Sequence, residues 1–202
     1  GVSTRPRCVE GSYMPVFLAG EGYAKVVANT VGVPLYEFSH QDGHIMAGIY
    51  SSGSFELLEN DFISVHLSGG TTEILKSRYN GFNFDNEIIG GSKDISAGQF
   101  IDRVGVKMVL LFPAGKALEQ LALKTEKGEK LPIAVDGAYM NFSGVETKAS
   151  RMTESEKCDK SALALGVLEN VRDTLVKTIN KAMTDTNTHR VLIVGGVASN
   201  GI

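Results

Sequence analysis

Apolar residues return every third or fourth position in some stretches of the chain and alternate or run together in others, so the sequence predicts helices mixed with strands. Ala24, Val27, Ala28 and Val31 lie at helical spacing over Glu21 to Val31, with Gly32 as the stop. The run Val33-Pro34-Leu35-Tyr36-Glu37-Phe38 reads as a buried strand, and a second helix is expected from about Gln41 to Tyr50, before the linker Ser51-Ser52-Gly53-Ser54. Phe62 to Leu67 and Thr72 to Lys76 alternate in strand fashion around Ser68-Gly69-Gly70-Thr71, the pattern of a hairpin. A further strand is expected over Asn83 to Ile89.

Helical spacing returns from Ile95 to Leu111; Pro113-Ala114-Gly115 breaks it before another helix from Lys116 to Lys124. Polar residues mark surface loops over Lys124 to Lys130 and Met152 to Lys160, and a long amphipathic helix is expected from Ser161 to Met183. Arg190 to Val194 is apolar enough for a buried parallel strand, closed by Gly195-Gly196. This order predicts an α/β chain of two lobes, residues 1–58 and residues 59–202, the second with a helical insertion over about 95–183 and a hinge near Ser51 to Asn60. A nucleotide would sit in the cleft between such lobes.

Composition narrows the function. With 202 residues, 43% hydrophobic and 21% charged, the chain is ordinary globular material able to bury a core. A net charge of -3 gives no global pull toward nucleic acid or anionic lipid, so an RNA partner must be met by a local patch or by another subunit. Cys8 and Cys158 stand far apart in no CxxC pattern, which argues against a disulfide scaffold and suits a reducing cytosol. No run approaches the ~20 apolar residues of a membrane span, so a soluble cytoplasmic protein is expected. The first residue is not Met, and both ends read as interrupted.

Four features carry candidate chemistry. His40-Gln41-Asp42-Gly43-His44 puts two imidazoles at positions i and i+4, one above the other on a helix, where they can converge on a cation; a solvated pair at a helix start has the same spacing. Ser68-Gly69-Gly70-Thr71-Thr72 offers backbone N–H groups and hydroxyls in a tight turn, as a phosphate requires, although Gly-Gly also suits a plain hairpin loop. Gly195-Gly196-Val197-Ala198-Ser199-Asn200 ends a buried strand, where open α/β sheets place ligands, and Asn200 can bond a sugar or base or cap a helix. Asp102 is an acid among apolar neighbours that could pair with Arg103, face water or hold a ligand hydroxyl. Neither a P-loop nor a dinucleotide fingerprint is present.

In this order, HQDGH, LSGGTTEI, DISAGQFIDRVG, LLFPAGKALEQLA, NFSGVETKA and LIVGGVASN resemble the tRNA threonylcarbamoyladenosine transferase family, also known as O-sialoglycoprotein endopeptidase or glycoprotease, of the peptidase M22 group. The resemblance runs from about Thr4 to Asn200. It implies the actin-like ATPase, Hsp70 and sugar kinase architecture, two ribonuclease H-like lobes, here incomplete because the family's opening strands and final segment are not matched. It also implies that His40 and His44 are metal ligands for one divalent ion, Fe or Zn, whose third ligand lies beyond Ile202. Leu67, Ser68, Gly69, Gly70 and Thr71 align with the loop that holds the nucleotide-bearing substrate, and Asp102, Gly115 and Asn200 with further substrate contacts. No catalytic residue is assigned.

The implied reaction transfers threonylcarbamoyl from its adenylate to an adenosine in tRNA. The implied partners are tRNA, a smaller related subunit and an ATPase of the threonylcarbamoylation system, with no membrane. Departures from the family pattern are Arg5-Pro6-Arg7 for Gly-Pro-Gly, Thr71 for a histidine, Glu146 for a lysine and Pro113-Ala114-Gly115 for Pro-Gly-Gly. They leave a non-catalytic nucleotide-binding or scaffold paralogue as the alternative. A metal-dependent glycoprotease is disfavoured, because the general base of an HExxH site would stand at Gln41, an amide that takes no proton.

Overall fold

A computed structural model describes residues 1–202. The chain forms two compact units, one of Gly1–Phe62 with Lys76–Glu87 and one of Ile63–Leu75 with Ile88–Ile202.

In the first unit, strands β1 (Val2–Arg5) and β2 (Glu37–Ser39) pair in parallel, and helix α1 (Val16–Val31) packs against β1. Gly32 ends α1 in the left-handed region at φ 74°, donating its N–H to the Ala28 carbonyl at 2.9 Å. Helix α2 (His40–Ser52) starts at a reciprocal cap. The Ser39 hydroxyl accepts from the Asp42 N–H at 3.0 Å, and the Asp42 carboxylate accepts from the Ser39 N–H at 3.2 Å. Ile45 and Ile49, four apart on α2, are buried, as are Leu57, Phe62 and Phe84; the last two rings meet edge to face at 6.1 Å.

The stretch expected to be a buried strand from Val33 to Phe38 behaves differently. Only Glu37–Ser39 joins the ladder, and Val33 and Tyr36 are 51% and 50% exposed. Apolar character alone does not bury a segment. Pro34 has no N–H to give a ladder, and the sheet here has two strands only. β1, in contrast, lies in residues with no clear pattern, and its partner β2 makes it a strand.

The second unit holds most of a mixed sheet in the order β6-β7-β5-β4-β3-β8, whose members are β3 (Phe62–Leu67), β4 (Thr72–Tyr79), β5 (Phe84–Ser92), β6 (Val135–Asp136), β7 (Tyr139–Met140) and β8 (Val191–Val194). β3 and β8 run parallel, Ile63 beside Val191 through His66 beside Val194, and β7 runs parallel to β5 and antiparallel to β6. Every residue of β3 is buried, as a strand covered on both faces requires. The two-residue strands β6 and β7 are too short to leave a period in the sequence.

Helices α3 (Ala97–Lys107), α4 (Gly115–Ala122), α5 (Ser143–Met152) and α6 (Lys160–Thr186) complete the unit. Phe100 of α3 stacks on Phe142 at 5.5 Å, and Val104, Leu118, Leu163 and Val167 are fully buried around the same core. Each such side chain removed from water contributes about 1.5–3 kcal/mol before entropy is charged. The helix expected to reach Leu111 ends at Lys107. Val109 takes φ 70°, its N–H donates to Val106 at 2.9 Å, and the Leu110 N–H reaches back to Gly105 at 3.0 Å, which is a Schellman closure with valine where glycine usually sits. No helix is long and apolar enough to cross a membrane.

Candidate functional site

In the second unit, two glycine turns meet at the carboxyl ends of the parallel strands β3 and β8. After β3, the Ser68 N–H donates to the Thr71 carbonyl at 2.8 Å, and the Ser68 hydroxyl accepts from the N–H groups of Thr71 at 2.9 Å and Gly70 at 3.3 Å. The hydroxyl closes the turn and still has its own proton to donate. Gly69 and Gly70 are exposed. After β8, Gly195 takes φ 112°, and a Cβ there would lie 2.1 Å from the Leu67 carbonyl oxygen, so only glycine lets the second turn reach the root of the first.

α3 fixes the first turn from the other side. Ser96 caps α3 by accepting from the Gln99 N–H at 3.0 Å, and its hydroxyl donates to the Gly69 carbonyl at 2.8 Å. The Thr72 hydroxyl accepts from the Ala97 N–H at 2.8 Å. A Cβ on Gly98 would fall 2.6 Å from both the Gly69 Cα and the Ser68 carbonyl oxygen, so the helix start and the turn touch backbone to backbone.

Of the residues singled out in the sequence, Leu67 and Asn200 line one cavity of about 290 Å³, together with Ile101, Val197 and Ala198. Asn200 follows the 3-10 turn Gly196–Ser199, and its side-chain oxygen accepts from the Ile202 N–H at 3.0 Å. Asp102 and Gly115 come together at the α3–α4 junction: the Asp102 carboxylate accepts from the Ala114 N–H at 2.7 Å, one residue before α4 begins. The carboxylate thus sets the position of Gly115.

Sequence reasoning passed over Ser96, Gly98 and Asp94. The pattern Ser96-Ala97-Gly98-Gln99 is a capping box and was legible as such; the closeness of Gly98 to the turn is tertiary. Asp94 lies just before α3 and binds the start of α5, accepting from the Phe142 N–H at 2.9 Å, the Ser143 N–H at 3.0 Å and the Ser143 hydroxyl at 2.6 Å. Partial burial pushes its carboxyl upward, but the Ser143 hydroxyl and the N–H groups of Phe142, Ser143 and Ile95 outweigh that and hold it at about 2.

In the first unit, His40 and His44 do converge. Their Nε2 atoms are 3.1 Å apart, and the Phe17 ring sits 5.5 Å from the His40 ring. Partial burial, and then the neighbouring His40 charge, lower the His44 pKa and favour the neutral imidazole that a metal requires. The pair suits two positions of a coordination sphere; no group of three or more His, Cys, Asp or Glu gathers anywhere in the chain. Among the departures, Glu146 accepts from the Ser150 hydroxyl at 2.7 Å within α5, and the Pro6 carbonyl accepts from the Gln41 N–H at 3.1 Å.

A mixed sheet with glycine turns at the carboxyl ends of the parallel pair β3 and β8, beside helices, is consistent with an actin-like ATPase fold. Component A of (R)-2-hydroxyglutaryl-CoA dehydratase from Acidaminococcus fermentans, a protein of that fold, matches with a TM-score of 0.50 at 17% identity, over 85% of this chain and 58% of that one. The sequence profile of tRNA N6-adenosine threonylcarbamoyltransferase matches residues 11–202, and the chain belongs to that family. The Thermus thermophilus tRNA N6-adenosine threonylcarbamoyltransferase is 34% identical over 191 residues, 91% of this chain and 55% of the relative. The Thermococcus kodakarensis enzyme of the same name is 36% identical over 69% of this chain and 42% of its own length. A probable bifunctional tRNA threonylcarbamoyladenosine biosynthesis protein of Methanothermobacter thermautotrophicus is 32% identical, over 88% of this chain and 31% of the relative. The chain thus spans about half or less of the length of these relatives.

Proposed function

We propose that this chain carries the adenylate-binding part of a cytoplasmic enzyme that transfers threonylcarbamoyl from its adenylate to an adenosine in tRNA. The observation that carries this reading is the meeting of the Ser68–Thr71 turn and the Gly195–Asn200 turn at the ends of β3 and β8, in a chain of the threonylcarbamoyltransferase family. The Ser68 hydroxyl and the exposed backbone of Gly69 and Gly70 suit a phosphate oxygen. The cavity beside Leu67 and Asn200 offers an apolar wall, one amide and the Arg172 side chain, which suits a nucleotide.

The chemistry is an acyl transfer. The exocyclic amine of the acceptor adenosine forms a bond to the carbamoyl carbon, the bond from that carbon to the adenylate phosphate oxygen breaks, AMP leaves with the electron pair, and the amine loses a proton. This chain's residues would hold the leaving phosphate and fix the orientation of the adenylate, lowering the entropic cost of attack. His40 and His44 would hold a divalent ion in company with ligands from elsewhere; when bound, it supplies Lewis acidity. A smaller related subunit and an ATPase would act with it.

The whole protein, supplied with tRNA and threonylcarbamoyl-adenylate, should yield the modified adenosine on nucleoside mass spectrometry. A protein that binds the adenylate tightly yet leaves tRNA unmodified, with all partners present, would instead be the non-catalytic paralogue.

A further inference from the structure

The loop between α3 and α4, in the unit that carries the candidate site, holds large apolar side chains out in water. Val109, Leu111 and Phe112 are 85%, 88% and 75% exposed. They are not frayed ends. The Schellman closure at Val109 fixes one side of the loop, the Lys160 ammonium donates to the Met108 carbonyl at 3.3 Å, and the Asp102 carboxylate holds the Ala114 N–H at 2.7 Å on the other side. The loop is thus held at both ends, which restricts its tip. Exposed Lys107, Lys116 and Lys160 flank it in sequence or by contact. The adjacent acids are engaged, Asp102 by Ala114 and Asp159 by the N–H groups that open α6.

We propose that this loop docks the RNA substrate, with the face of Phe112 stacking on an unpaired base and Lys107, Lys116 and Lys160 neutralising the phosphates beside it. A single-stranded RNA loop is read by aromatic stacking and cationic contacts to its backbone, and this tip provides both within a few residues. With a net charge of -3, this chain can meet RNA only through a local cationic patch such as this one, unless another subunit supplies the charge. Asp102 and Gly115, which the family resemblance aligns with substrate contacts, flank the loop, Asp102 through its bond to the Ala114 N–H. The inference rests on the transferase reading above and adds the residue that positions the acceptor.

The test uses the full-length protein and tRNA carrying the acceptor adenosine, followed by fluorescence anisotropy, with ATP binding measured in parallel. Phe112→Ala should weaken tRNA binding on the order of tenfold, the loss of one stacked base, while Phe112→Trp retains it and ATP affinity is unchanged in both. Lys107→Gln and Lys116→Gln should each weaken binding to all tRNAs and lower the salt slope by about one. Three results would overturn the proposal: Phe112→Ala binding like the parent, Phe112→Leu binding as tightly as Phe112→Trp, or Phe112→Ala abolishing self-association or binding to phosphatidylserine vesicles while leaving tRNA affinity intact. If the parent protein modifies tRNA and Phe112→Ala is indistinguishable from it, this inference alone fails; if the parent neither binds nor modifies tRNA, the transferase reading fails with it.

Discussion

The Ser96 hydroxyl donates to the Gly69 carbonyl at 2.8 Å while accepting from the Gln99 N–H, so one side chain both caps α3 and anchors the glycine turn. Helix start and turn are therefore one mechanical piece, and a change at either is felt at the other. Ser96→Ala is expected to lower stability by about 1–2 kcal/mol, the range for loss of a cap, and to weaken adenylate binding. Ser96→Thr should restore most of both. Urea denaturation alongside calorimetric titration of ATP measures the two together.

Gly98 and Gly195 make a sharper case, since a methyl group at either position meets backbone. Gly98→Ala would press on Ser68 and Gly69, and Gly195→Ala would add left-handed strain to a contact at 2.1 Å with Leu67. Each should cost more than about 2 kcal/mol, or force the turns apart and remove nucleotide binding. Gly196→Ala, where a Cβ meets nothing within 4 Å, is the control and should be close to neutral.

Val109 offers the opposite sign. A β-branched residue at φ 70° carries about 1–2 kcal/mol of conformational strain that glycine does not. Val109→Gly should raise stability by up to about 1 kcal/mol once the added entropy of the unfolded chain is deducted, seen as a higher urea midpoint with an unchanged m-value.

Asp94 sets a pH dependence. Its folded pKa of about 2 lies below its unfolded value, so the unfolded chain binds more protons between the two. The stabilisation is present in full above about pH 4 and is lost as pH falls toward 2. Asp94 is exposed, so about 1 kcal/mol is expected rather than the larger figure the shift alone implies. The difference in urea midpoint between the parent and Asp94→Asn should be constant near neutrality and narrow on acidification below pH 4.

Metal uptake should follow the histidine pair. His40→Ala or His44→Ala is expected to reduce bound metal strongly in elemental analysis of the whole protein. Because burial and His40 lower the His44 pKa below the usual histidine value, His44 stays neutral and metal-competent at lower pH than a free imidazole. A loss of metal already under way well above pH 6.5 would contradict that assignment.

Periodic hydrophobicity and glycine placement were enough to locate α2, the β3–β4 turn, α6 and β8, because each is long or sharply bounded and its signal is local. The motifs likewise placed His40 beside His44, since a helix turn alone brings i and i+4 together. What no local pattern could decide was decided by packing. Whether Val33 to Phe38 is buried depends on the layers that cover it, β7 exists only because β5 offers it a partner and β6 because β7 does, and the meeting of Leu67 with Gly195 joins residues 128 positions apart. Sequence fixes which backbone shapes are cheap at each residue; only the folded chain determines which of them touch, because contact between distant segments depends on the whole core that brings them together.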